Sequence, residues 1–311
     1  MNVLVTGGAG FIGSHTCRLL LERGHRVTAV DDLSHGKRKA VPAGAELLRL
    51  DVRSAELFSA FESVRPDAVI HLAAQTDVRQ SVVDPGADAS LNVGGTVAVL
   101  EAARRSGARR FVFASSGGAV YGEQDVFPCR EDHPRRPTSP YGVSKLCGEE
   151  YLAYAARSSG LSTLALRYAN VYGPGQDPHG EAGVVAIFVG KMLAGEVPVI
   201  NGDGLQTRDY VHVEDVARAN AAAVESRHCG ALNVGTGVET TVVDLQRVLA
   251  AELGFSTPAR FGDAKPGEQR RSCIDPAAAK AALDWQLSFD VGDGLRSTAR
   301  WFRDRRQPRP P

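Results

Sequence analysis

Residues Asn2–His15 read NVLVTGGAGFIGSH. A short apolar run, residues 2–6, ends at a glycine-rich turn. Helical spacing follows, with Cys17, Leu20 and Leu21 on one side. The turn carries GxxGxxG at Gly7, Gly10 and Gly13, and GxGxxG at Gly8, Gly10 and Gly13. A glycine pattern alone says little. Here it follows a strand and opens a helix, the context its chemistry requires. Glycines permit the tight turn and let the backbone approach a pyrophosphate. The helix N-terminus then meets that anion with unpaired N–H groups and the positive end of its dipole. Gly7, Gly10, Phe11, Ile12 and Gly13 are the expected cradle.

Working outward, residues 25–30 predict a second strand that ends at Asp31 and Asp32. A carboxylate at Asp31 suits the ribose hydroxyls of a dinucleotide and would repel a 2′-phosphate, which favours NAD over NADP. A third strand, 45–52, ends at Asp51 and Val52. Asp51 is expected to accept from an adenine amino group while Val52 packs on the ring. A fourth, 68–74, is continuous and apolar. Leu72, Ala73 and Ala74 at its end let a cofactor lie against the backbone. Residues 109–116 and 162–173 predict two more strands. Helical patterns at 54–64, 92–106 and 142–158 separate them. Buried strands alternating with amphipathic helices predict an α/β fold, a doubly wound parallel sheet of Rossmann type.

Near residue 174 the rhythm changes. GPGQDPHGEAG (173–183) reads as a long loop. Beyond it are predicted a helix (183–195), a strand (197–200), a turn (201–204) and a helix after TRDYVHVED. A strand (231–234) and helices at 241–253 and 276–283 follow. These form a smaller C-terminal α/β lobe, 174–311, packed on the first lobe, 1–173, and interleaved with it at the boundary. The tail RDRRQPRPP (303–311) is expected to fray.

Composition excludes several classes. The 311 residues carry zero formal net charge, which argues against nucleic acid or an anionic membrane as partner. No window of about 18 apolar residues suggests a membrane span. The N-terminus lacks a basic region followed by an apolar one, so a cytoplasmic protein is expected. The five cysteines are scattered without CxxC spacing, so neither a disulfide framework nor a metal site is expected.

Two further stretches suggest chemistry. SPYGVSK (139–145) places Tyr141 and Lys145 four residues apart, on one face of a helix. A free tyrosine, with a pKa of about 10, is a poor base at neutral pH. A nearby ammonium and a cationic nicotinamide both favour the phenolate. FASSGGAVYGE (113–123) runs a buried strand into a polar turn.

Together with HLAAQTDV, LNVGGT, LRYANVYGP and GDGLQTRDYVHVEDVA, these motifs resemble the extended short-chain dehydrogenases/reductases, and most of all the UDP-glucose (UDP-galactose) 4-epimerases. The resemblance spans almost the whole chain. It implies tightly bound NAD that is regenerated each cycle. Tyr141 would take the proton from the sugar's 4-hydroxyl while Lys145 supports the phenolate and binds the nicotinamide ribose. Hydride would leave C4, the 4-keto sugar would turn over about its diphosphate link, and hydride would return to the other face. Asn92, Ser115 and Tyr168 are implied on the cofactor side. Gln75, Gly117, Asn170, Arg208, Tyr210, Glu268 and Ser272 are implied on the UDP-sugar side. Arg208 and Asn170 would bind the diphosphate, and Ser272 would leave room at the sugar's C2 substituent. A homodimer through helices 92–106 and 142–158 is also implied.

Related activities remain open: epimerisation of UDP-glucuronate or a UDP-N-acetylhexosamine, 4,6-dehydration, or cofactor binding without chemistry. Ala119 and Val120 stand where dehydratases place an acidic pair, which argues against dehydration. Many family members place a Ser or Thr at the position of Gly117, bonding the 4-hydroxyl. Here that role is expected to fall to Ser116 or to a water in the space beside Gly117.

Overall fold

The computed structural model describes residues 1–178, 183–264 and 269–306. The first half supplies strands β1 (Asn2–Thr6), β2 (Arg26–Asp31), β3 (Glu46–Arg49), β4 (Ala68–His71), β5 (Arg110–Ser116) and β6 (Ser162–Tyr168). Beyond them lie β7 (Asn170–Tyr172), β8 (Val199–Asn201), β9 (Thr207–His212) and β10 (Gly230–Val234). The last are β11 (Glu239–Thr241), β12 (Arg260–Gly262) and β13 (Arg271–Ser272).

A seven-stranded parallel sheet runs in the order β10-β6-β5-β4-β1-β2-β3. Both faces are covered, which explains the unbroken apolar runs. Side chains still alternate between the faces. Val3, Val5, Ile70 and Val112 pack against the helices Phe11–Glu22 and Val213–Glu225. Leu4, Val69, Phe111 and Phe113 pack with Leu57, Phe61, Val99 and Leu152 on the other side. The chain order reverses between β1 and β4, so the loops leaving their C-terminal ends open a crevice there.

A four-stranded sheet, with β9 pairing β7, β11 and β13, belongs to the smaller lobe. Its core gathers Tyr172, Phe188, Ile200, Leu245, Leu249 and Leu295.

Three expectations need correction. The strand expected over 162–173 is two strands. Ala169 donates to the Val234 carbonyl, and the chain then leaves the large sheet so that β7 pairs with β9. The strand expected at 231–234 in the smaller lobe is instead the edge of the large sheet, beside β6. The lobes are therefore interleaved well past residue 173. The tail expected to fray from 303 is helical to Arg306, as the end of the helix Val291–Arg306. Leu295, Ala299 and Phe302, at helical spacing, anchor that helix in the third core. Residues 307–311 lie outside the described residues.

Candidate active site

The cradle at the end of β1 is built by close approach. Gly7 sits in the left-handed region, with φ 68. A Cβ there would lie 2.8 Å from the Ala73 nitrogen, beyond β4. A Cβ at Gly13 would collide with the Gly7 carbonyl. The helix Phe11–Glu22 starts at Gly10 without a side-chain cap, leaving its first N–H groups to an anion. This arrangement fits the pyrophosphate of a dinucleotide.

Asp31 is buried at the end of β2. Its carboxylate accepts from the Ala9 nitrogen at 3.0 Å and from the Leu33 nitrogen at 2.9 Å, so it braces the cradle it is expected to serve. Asp32 is exposed and caps Ser34. Asp51 is gripped by Arg53, with Nη2 2.6 Å from its carboxylate; that hydrogen bond holds its carboxyl below the usual range. An adenine amino group would share Asp51 with this arginine. Val52 is buried.

Tyr141 and Lys145 lie on the helix Pro140–Ser159, which starts with Ser139 accepting from the Gly142 nitrogen at 3.1 Å and a proline in its first turn. The Tyr141 nitrogen donates to Ser81 Oγ at 3.2 Å. Lys145 Nζ donates to the Ala114 carbonyl at 3.0 Å and lies 5.7 Å from the Tyr141 ring centre. Burial, then the Asp88 charge, push the Tyr141 phenol up to about 12, opposed by a hydrogen bond with Ser116. Burial brings the Lys145 ammonium down to about 8, with Asp88 working against it. The ammonium therefore does not by itself yield a phenolate at neutral pH. A base at this position would need the further positive charge of a bound nicotinamide.

Ser115 and Ser116 point to opposite sides of β5. Ser116 meets Tyr141. Ser115 Oγ donates to Glu149 at 2.6 Å, and Glu149 is bound in turn by the buried Arg167. The expected space beside Gly117 is filled. A Cβ there would lie 2.9 Å from Ile274 Cδ1 and 3.4 Å from the Tyr168 carbonyl. Tyr168 meets the site through its backbone. Its ring is buried and its hydroxyl donates to Asn220 at 2.5 Å, so only its backbone is left near the site.

Leu72–Gln75 are held in place by Asn92. Its amide accepts from the Gln75 nitrogen and donates to the Gln75 carbonyl, both at 2.9 Å. Asn92 sits in a π-helical turn, Ser90–Gly95, a form common at functional sites. The Gln75 side chain turns to the Asp77 carbonyl and to Asp88. Sequence reading did not single out Asp88, Ser81 or Ser144. The available signal was Asp88 four residues before Asn92, one helical turn away.

The small sheet brings four separate stretches together. Asn170 lies opposite Tyr210, and Ser272 opposite Arg208. Arg208 and Tyr210 alternate with buried Asp209, so they share a face. Ser272 links this face to the rim of the large sheet: a Cβ on Gly118 would lie 3.3 Å from its Oγ. Glu268 lies outside the described residues.

Residues 3–235 match the model of the NAD dependent epimerase/dehydratase family. The chain belongs to this family. A UDP-glucose 4-epimerase from Mycolicibacterium smegmatis is 43% identical over 99% of the chain and 100% of its own length. The crystal structure of a UDP-glucose 4-epimerase from Thermotoga maritima, with UDP-glucose, is 44% identical with a TM-score of 0.97, covering 99% of this chain and 100% of that one. A UDP-glucose 4-epimerase of Thermus thermophilus in complex with NAD is 44% identical with a TM-score of 0.93, covering 97% and 99%. For an epimerase/dehydratase, the rim is chemically specific. A phenol and a hydroxyl meet beside the cradle, backed by a buried ammonium, and buried Val120 provides no acid for water elimination.

Proposed function

We propose that the protein is an isomerase that epimerises C4 of a UDP-hexose, interconverting UDP-glucose and UDP-galactose through a transient 4-keto sugar. The observation that carries this reading is the pairing of Tyr141 with buried Lys145, whose Nζ lies 5.7 Å from the Tyr141 ring centre, with Ser116 near them at the end of β5, beside the dinucleotide cradle. Bound NAD supplies an acceptor and donor of hydride. Tyr141 removes the proton of the 4-hydroxyl and later returns it. Ser116 holds the same oxygen, the role that Gly117 cannot fill. Lys145 stabilises the phenolate, and the Asn92 clamp holds the backbone along which the cofactor lies. Arg208 and Asn170 hold the diphosphate, since a guanidinium fork suits phosphate oxygens. Positioning of the reacting atoms carries much of the rate.

The division into an NAD-binding lobe (1–173) and a sugar-nucleotide lobe (174–311) belongs to this reading, with β10 crossing back into the first. The small Ser272 beside Gly118 favours a second substrate class, UDP-N-acetylhexosamines. A cytoplasmic homodimer is also part of the proposal. Val143, Tyr151 and Tyr154 are exposed by 48%, 43% and 60%, and their spacing puts them on one helical face. A face of this kind calls for a partner surface. Sedimentation should give a dimer that Tyr154→Glu weakens; a wild-type monomer would refute this part.

The central test incubates the protein separately with UDP-galactose, UDP-glucuronate and UDP-N-acetylglucosamine. UDP-glucose should form from UDP-galactose without net reduction of nicotinamide. Net NADH release, or no 4-epimer from any of the three, would overturn the proposal.

A further inference from the structure

Asp88 lies on the short helix Pro85–Ala89 and is 1% exposed. Its Oδ1 accepts from Gln75 Nε2 at 3.1 Å and from Asn92 Nδ2 at 2.9 Å; its Oδ2 accepts from Ser144 Oγ at 2.5 Å. Ser144 is the neighbour of Lys145 on the catalytic helix. The bonds continue away from Asp88. Thr96 Oγ1 donates to the Asn92 carbonyl at 2.6 Å, His71 bonds Thr96 at 3.0 Å, and the other His71 nitrogen bonds Thr6 at 2.6 Å. One buried network thus ties the root of the glycine cradle to the helix that carries Tyr141 and Lys145. It contains one carboxylate, and three donors satisfy it.

Lys145 is 4% exposed. A buried ammonium is costly unless an opposite charge stands near it. Asp88, Tyr141 and His71 act on it, and Glu149, one turn along the same helix, is already neutralised by its pair with buried Arg167. Burial brings the His71 imidazole down to about 3, so that ring is neutral. The carboxylate remains as the source of negative charge.

We propose that Asp88 is a positioning residue for Tyr141 and Lys145: its buried carboxylate pins their helix through Ser144 and supplies the counter-charge that keeps the Lys145 ammonium in a dry site. The link to catalysis rests on the proposed epimerase chemistry; the structural and electrostatic claim does not.

The test is a pH titration of the NAD-loaded protein with lysine labelled at 13Cε, the Lys145 signal being assigned by its loss in Lys145→Met. In the NAD-loaded wild type Lys145 should lose its proton below about pH 8, since burial lowers it to about 8 and the positive nicotinamide lowers it further. Removing the Asp88 charge disfavours the ammonium, so in Asp88→Asn the midpoint should fall by about one pH unit. Ser144→Ala keeps the charge and loses the pin, so its midpoint should stay at the wild-type value while turnover falls. An unchanged midpoint in Asp88→Asn, or an equal fall in Ser144→Ala, would overturn the assignment. If Asp88→Asn does not fold, the double variant Asp88→Asn/Lys145→Met should recover folding, because it removes both charges; failure to recover would also overturn it. Neither the midpoint nor the folding readout uses substrate, so a failed epimerase assay leaves them interpretable.

Discussion

The rim of the large sheet and the face of the small sheet meet at Ser272 and Gly118, yet they are built differently. On the rim, polar side chains are buried and committed: Lys145 to Ala114, Ser115 to Glu149, Asn92 to Gln75, Asp88 to Ser144. Around the small sheet, ion pairs sit at the surface. Arg271 grips Glu239 at 2.6 Å and Arg270 grips Asp203 at 2.8 Å, with both arginines at least half exposed. Exposed pairs of this kind contribute little to stability. The half expected to move protons is held rigidly, and groups fixed before reaction cost no reorganisation during it. The half expected to grip a diphosphate and let a hexose present either face rests on strands of two to six residues.

The largest test of that contrast is Tyr141→Phe. It should cut turnover of UDP-galactose by about 10²- to 10⁴-fold, as for loss of a general base, with bound NAD retained; normal turnover would break the assignment. The two serines of β5 come next. Ser116→Ala should slow turnover strongly, with little change in Tm. Ser115→Ala should barely alter turnover and cost about 1 kcal/mol of stability, from the lost bond to Glu149. On the small sheet, Arg208→Ala should raise KM by roughly 10- to 100-fold and change kcat less, since it removes about 1.5–3 kcal/mol of charged hydrogen bonding. Equal losses in kcat would place Arg208 in the chemistry rather than in binding. Gly117→Ser should lower stability by about 1–3 kcal/mol through overpacking against Ile274, with Ile274→Val relieving it. A tolerated serine there would show that space remains for the missing hydroxyl. The smallest effect is electrostatic. Turnover should decline as pH rises through about 8, where Lys145 loses its charge; bound nicotinamide, being positive, would move that decline to lower pH.

Legibility followed the spacing of the chemistry along the chain. The cradle from Gly7 to Gly13, Asp31 at a strand end and the Tyr141–Lys145 pair were readable because each lies within one stretch whose backbone form sets its geometry. Ser115 and Ser116 were assigned to opposite faces by strand alternation alone, and the packing agrees. That Tyr168 offers the site only its backbone was not legible, because its motif does not reveal that Asn220, 52 residues later, takes its hydroxyl. The space beside Gly117 was misjudged for the same reason. Ile274 fills it from the segment after β13, far away in sequence.

The sequence by itself determined the parallel sheet, the glycine cradle and the Tyr141–Lys145 pair on one helix face, because glycine conformations, helix periodicity and apolar runs are local properties. Tertiary structure decided which serine faces Tyr141's partner space and which faces Glu149's network in fact, where β10 sits, and that Asp88 stands behind Lys145. Those outcomes depend on which distant side chains share a buried volume. In that volume every polar group must find a partner, and partners are chosen by proximity in space.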